Sequence, residues 1–61
     1  MSTLTSKELT ALEETLGSEQ MYVKKFQTAA SMCNDPALRN RLEQIASKHQ
    51  THYNTLLSYL K

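Results

Sequence analysis

The sequence predicts an all-α protein, an antiparallel two-helix hairpin that dimerises into a four-helix bundle. Three observations lead there. Only Gly17 and the stretch Cys33-Asn34-Asp35-Pro36 interrupt a chain otherwise rich in Ala, Leu, Glu, Lys and Gln, the residues that cost least in a helix. Each of the two resulting segments carries an apolar stripe with alternating steps of three and four. Both stripes are wider than one neighbouring helix can cover.

The first helix is expected from about Ser6 to about Cys33. Thr5 and Glu8 have capping-box spacing, so each side chain can satisfy a backbone N–H that the helix start leaves free. Its stripe runs Leu9, Leu12, Leu16, Glu19, Val23, Phe26, Ala30 and Cys33, and only Glu19 breaks its apolar character. Gly17 costs about 1 kcal/mol against alanine inside a helix, and Ser18 offers a cap for a new one, which makes a kink the alternative to a straight run. The stripe passes Gly17 in phase, which favours a continuous helix.

A reversal follows, because the connection is too short for anything else. Asp35 can cap free N–H groups, and Pro36 suits the first turn, where no N–H is needed. The second helix is expected from about Pro36 to about Leu60, with a stripe at Leu38, Leu42, Ile45, His49, His52, Leu56 and Tyr59. Two histidines interrupt it. A three-four alternation keeps all these residues on one face, the pattern of left-handed bundle packing.

Residues 1–61 therefore form a single hairpin domain. Tyr22 and Ala29 widen the first stripe, and Ala46, Tyr53 and Leu60 widen the second, so a lone hairpin leaves half of its apolar face wet. A 61-residue chain is marginal without a staple. One cysteine closes no intrachain disulfide, which leaves a metal or a second copy of the chain. Met21, Met32 and Leu57 fall off the stripes and are expected at the surface, where they would mark lateral contacts between bundles.

Charge narrows the function classes. Seven basic and six acidic residues nearly cancel, and Lys7, Lys24, Lys25, Arg39, Arg41, Lys48 and Lys61 are scattered along the chain, so no basic face is available for nucleic acid. No apolar run approaches the roughly 20 residues of a membrane span, and the opening lacks the basic-then-apolar order of a signal peptide. An intracellular location without membrane insertion is expected. No nucleophile, phosphate loop or acid–base pair appears beyond one Glu/His trio, so no catalytic residues are assigned and the chain is not read as an enzyme.

That trio is the chemical feature of the sequence. With the reversal centred near Asn34, Glu19 lies fifteen positions before it, His49 fifteen after and His52 eighteen after. At about 1.5 Å of rise per residue, the three share one level roughly 20 to 27 Å from the turn. A lone carboxylate or an unpaired imidazole among leucines costs several kcal/mol, so the three must satisfy one another, a metal or water. Glu19, His49 and His52 are candidate ligands for a transition metal such as iron, zinc or copper, and the nitrogen-rich set disfavours magnesium and calcium. The alternative is a hydrogen-bonded polar layer that fixes register and partner. Tyr22 and Tyr53 lie close enough to bond the site but are read first as amphipathic packing, and Cys33 as packing near the turn.

The run from Leu42 to Leu57, with Lys48-His49-Gln50-Thr51-His52-Tyr53 at its centre and Asn34-Asp35-Pro36 ahead of it, resembles the short spore coat proteins of the coat F family. Leu4-Thr5-Ser6-Lys7-Glu8-Leu9 and Gly17-Ser18-Glu19-Gln20 are similar to that family too. The resemblance implies half of a ferritin-like bundle, a structural role in the spore coat of an endospore-forming bacterium, and other coat proteins as partners. The wider ferritin-like pattern, a Glu on one helix and Glu-x-x-His on the next, matches at Glu19 and His52 and departs at His49. Imidazole cannot bridge two metals as carboxylate does, so the departure argues against ferroxidase or peroxide chemistry and leaves a binding or structural site as the alternative to pure assembly.

Overall fold

The computed structural model describes residues 3–60. Helix α1 spans Ser6–Ser31 and helix α2 spans Pro36–Leu57, followed by one turn of 3-10 helix at Ser58–Leu60. The two helices pack against each other along their length, and no strand occurs among the described residues, so the fold is an all-α helical hairpin. It is a narrow rod of 46 × 17 × 11 Å.

The helix starts follow from local chemistry. Thr5 Oγ1 accepts from the Glu8 backbone N–H at 3.1 Å, while Glu8 Oε1 accepts from the Thr5 N–H at 2.9 Å. Those two bonds to Thr5, the backbone one first, hold the Glu8 carboxyl below its ordinary range. At α2, Asp35 Oδ1 accepts from the N–H groups of Ala37 and Leu38 at 2.9 and 3.2 Å, with Pro36 in the first turn.

The end of α1 comes at Ser31, two residues before the expected Cys33. There Met32 N–H turns to the carbonyls of Thr28 and Ala29, and Cys33 N–H to that of Ala30. Arg39 explains how the chain then reverses: its Nε and Nη2 donate to the Cys33 carbonyl oxygen at 3.1 and 2.6 Å, reaching back from the first turn of α2. This fork gives a carbonyl just beyond α1 a cationic partner. At the other end α2 stops at Leu57, and the expected last turn to Leu60 tightens to 3-10 geometry.

No kink occurs at Gly17. Helix α1 runs through it, and a Cβ at that position would meet nothing within 4 Å.

The seam between the helices is narrow. Leu16, Val23 and Ala30, spaced by seven, are the buried residues of α1, and Ala46 is the buried residue of α2. Leu12, Phe26, Leu42, Ile45, Tyr53 and Leu56 are half-buried around them. Helix α2 is therefore turned so that Ala46, from the edge of its stripe, faces α1. On the opposite edge Leu38 is 52% exposed and Tyr59 60%, and these two with His52 face away from the seam. The same rotation half-buries Leu57, which the sequence placed at the surface, whereas Met21 and Met32 are exposed as expected.

Candidate functional site

Glu19 stands in the middle of α1 on the stripe that includes Leu16 and Val23. The reversal fixed by Arg39, Asp35 and Pro36 sets α2 so that His49 lies opposite it. His49 Nδ1 is 2.5 Å from Glu19 Oε1, and His52 Nδ1 is 3.4 Å from Glu19 Oε2. The first contact is a hydrogen bond, and the second is a close approach of the two side chains. A carboxylate can only accept, so His49 Nδ1 carries the proton of that bond, and in the neutral ring the lone pair sits on Nε2.

Burial grades across the trio. The side chain of Glu19 is 16% exposed, that of His49 24% and that of His52 58%. Glu19 is thus largely withdrawn from water and takes both of its direct partners from the other helix. His52 reaches the outward edge of the hairpin. The level inferred by counting from the turn is the level observed.

An aromatic bed holds His49. Its ring stacks on Tyr22 with centroids 5.0 Å apart and lies nearly parallel to Phe26, at 7° and 5.9 Å. Tyr22 therefore serves the site by packing. Phe26 was legible in the sequence only as a stripe residue, since nothing in the spacing says that an aromatic ring four positions after Tyr22 meets the same imidazole. His52 meets His49 edge-on, with centroids 5.8 Å apart.

Glu19, His49 and His52 each present a potential ligand atom, and these atoms lie within 4.8 Å of one another. Two ligands on one zinc-class ion, with bonds of about 2.0–2.1 Å, stand at most about 4.2 Å apart. A small rotation is needed to close the trio on an ion, and the exposed ring of His52 is the part free to make it. Without metal the three form a satisfied polar layer, and no buried side-chain nitrogen or oxygen among the described residues lacks a partner.

Among the described residues no second cluster of metal-ligating side chains occurs. Cys33 is half-buried at the turn with Sγ 3.5 Å from the Asp35 carbonyl oxygen, consistent with packing. No helix among the described residues is long and apolar enough to cross a membrane. Comparison of the chain with protein-family profiles, curated sequences and solved structures gives no match.

Proposed function

We propose that this chain is an assembly protein whose hairpins pair through their apolar faces into a four-helix bundle. The observation that carries the reading is the outward edge of the two stripes. Tyr22, at the edge of the α1 stripe, and Leu38 and Tyr59, which keep the three-four spacing of core residues in α2, are exposed on an isolated hairpin. The surface area agrees. The hairpin exposes 4882 Å² where a compact chain of 7.0 kDa exposes about 4000 Å², and the excess of roughly 800 Å² is about what one partner gives to a stable protein interface.

A second copy is the partner that fits, because an isologous pairing needs no surface other than this one. Native mass spectrometry and light scattering of the purified chain test it. The expected mass is twice 7.0 kDa or a higher even multiple. A folded monomer that persists at tens of micromolar overturns the reading.

The finer reading is a structural role of the spore coat type, with other coat proteins as further partners, and its support is the coat F resemblance of the His49–His52 segment. A tagged copy expressed in an endospore former is expected in the coat fraction. Recovery with the remaining mother-cell proteins contradicts that role.

A metal-binding role of ferritin-like kind is favoured by a separate observation, the convergence of Glu19, His49 and His52 from two helices. Histidine at position 49 suits binding better than metal oxidation, because it supplies no bridge between two ions.

A further inference from the structure

We propose that two copies of the hairpin pair with their turns at opposite ends, about a two-fold axis that crosses the level of Glu19 and His49. This arrangement rests on the pairing put forward above and adds to it a direction and a register.

Charge sets the direction, because the hairpin is polarised along its length. In the open half, away from the turn, the described charged residues are Glu8, Glu13 and Glu14, with Lys7 as the one base. In the half that holds the turn they are Lys24, Lys25, Arg39 and Arg41 against Asp35 and Glu43. The open half is therefore net acidic and the turn half net basic. Glu19 and Lys48 stand near the middle and keep their level in either direction, so they do not discriminate.

Turns at one end would lay each half on its like. Turns at opposite ends lay the acidic half of each copy on the basic half of the other. Packed helices are about 8–10 Å apart, comparable with the screening length of about 8 Å at physiological salt, so the halves of neighbouring copies still feel each other's charge. Like charge brought together suppresses the wrong orientation, and opposite charge fixes the right one. Helix dipoles leave the choice to the side chains, since α1 and α2 run antiparallel within each copy and their dipoles nearly cancel.

The residues that most need covering set the register. Leu38 lies four positions after Asn34 and Tyr59 twenty-five, so the level halfway between them is fourteen to fifteen positions from the turn. Lys24 and Lys25 lie ten and nine positions before Asn34, and Glu14 and Glu13 twenty and twenty-one, so their halfway level is fifteen. Glu19 and His49 stand fifteen positions on either side of it.

One axis at that level serves all three. A two-fold axis that crosses the hairpin from α1 to α2 lays each helix antiparallel on the same helix of the other copy. Along α2 it brings Leu38, 52% exposed, to the level of Tyr59 of the second copy, 60% exposed, and it does so twice. Along α1 it brings Lys24 and Lys25 to the level of Glu14 and Glu13 of the second copy. The two Glu19–His49 hydrogen bonds then share the middle layer.

The turns report the arrangement directly. In a Cys33→Ser background, Asn34→Cys puts the only thiol at an exposed turn position, and a nitroxide attached there is read by double electron–electron resonance on the full chain. Turns at opposite ends are expected to hold the two labels about 45 Å apart, from about thirty residues of rise at about 1.5 Å each. Turns at one end would hold them within about 20 Å, two interhelical spacings.

Charge reversal tests the cause. Glu13→Lys with Glu14→Lys makes both halves basic and is expected to raise the dimer dissociation constant about tenfold in sedimentation velocity at low ionic strength, with the helical spectrum kept. Adding Lys24→Glu and Lys25→Glu restores the net charge and the polarity in reverse, and is expected to return the constant to within about twofold of native. With turns at one end the first pair of reversals leaves like halves on like and weakens nothing.

A label separation of about 20 Å, or a first pair of reversals without effect, overturns the opposed arrangement and leaves the assembly reading standing. A native chain that stays monomeric at hundreds of micromolar overturns the assembly reading and this arrangement with it.

Discussion

The seam between α1 and α2 and the outward edge of the same stripes are made of the same residue types at the same spacing, yet they have different surroundings. Leu16, Val23, Ala30 and Ala46 are buried by the hairpin, while Leu38, His52 and Tyr59 are left in water. The difference teaches that one apolar stripe holds two edges, of which the hairpin buries one. One of them closes within the chain, and in the proposed pairing the other meets a second copy.

Substitutions that separate the two edges should therefore have different signatures. Val23→Asp places an unpaired charge in the seam, several kcal/mol against a domain of this size, and is expected to abolish the cooperative melting transition seen by circular dichroism. A folded Val23→Asp protein would mean that the seam is not the core. Next in size, Leu38→Lys with Tyr59→Lys charges only the outward edge. Sedimentation is expected to shift to monomer with a lowered melting temperature, and an unchanged oligomer would place the interface elsewhere.

Smaller effects come from the frame that holds the edges in register. Asp35→Ala removes the acceptor for two N–H groups and is expected to cost about 1 kcal/mol in denaturant titrations, with no change in oligomeric state at high concentration. Gly17→Ala is expected to stabilise by about 0.5–1 kcal/mol, since the added Cβ meets nothing in the hairpin. A loss instead would show that a neighbouring chain packs on Gly17.

The smallest effect is at the start of α1. Bonding to Thr5 lowers the Glu8 carboxyl in the folded state, so its contribution to stability is present above the ordinary carboxylate value and is lost as pH falls through the lowered one. Acid should release the first turn of α1 in the native chain, and Glu8→Gln should remove that pH dependence. Amide exchange at Glu8 and Leu9 reads it.

What the sequence made legible follows the range of the interactions involved. Thr5 with Glu8, and Asp35 with Pro36, act within one turn, and their spacing alone marks the helix starts that the structure has. The shared level of Glu19, His49 and His52 was also readable, because a short reversal turns counting residues into measuring height. Rotation about the helix axis was not readable. A stripe that alternates threes and fours says which face is apolar but not which of its edges meets the neighbouring helix, so Ala46 and Leu57 lie deeper than expected and Leu38 and Tyr59 shallower.

Side-chain reach was the other hidden variable. Arg39 reads as one of several scattered basic residues until its guanidinium is seen on the Cys33 carbonyl. Phe26 reads as one more stripe residue until its ring is found parallel to His49. Neither contact has a spacing rule, because each depends on how the two helices are turned toward each other.

The central claim is that the outward edge is core in the assembled protein. Circular dichroism at 222 nm and molecular mass, measured together over a dilution series from hundreds of micromolar to below one micromolar, test it most directly. The account predicts that helicity and mass fall together, with dimer or larger species at the top of the range and helix lost on dissociation. Full helicity in a monomer at the lowest concentration would contradict it.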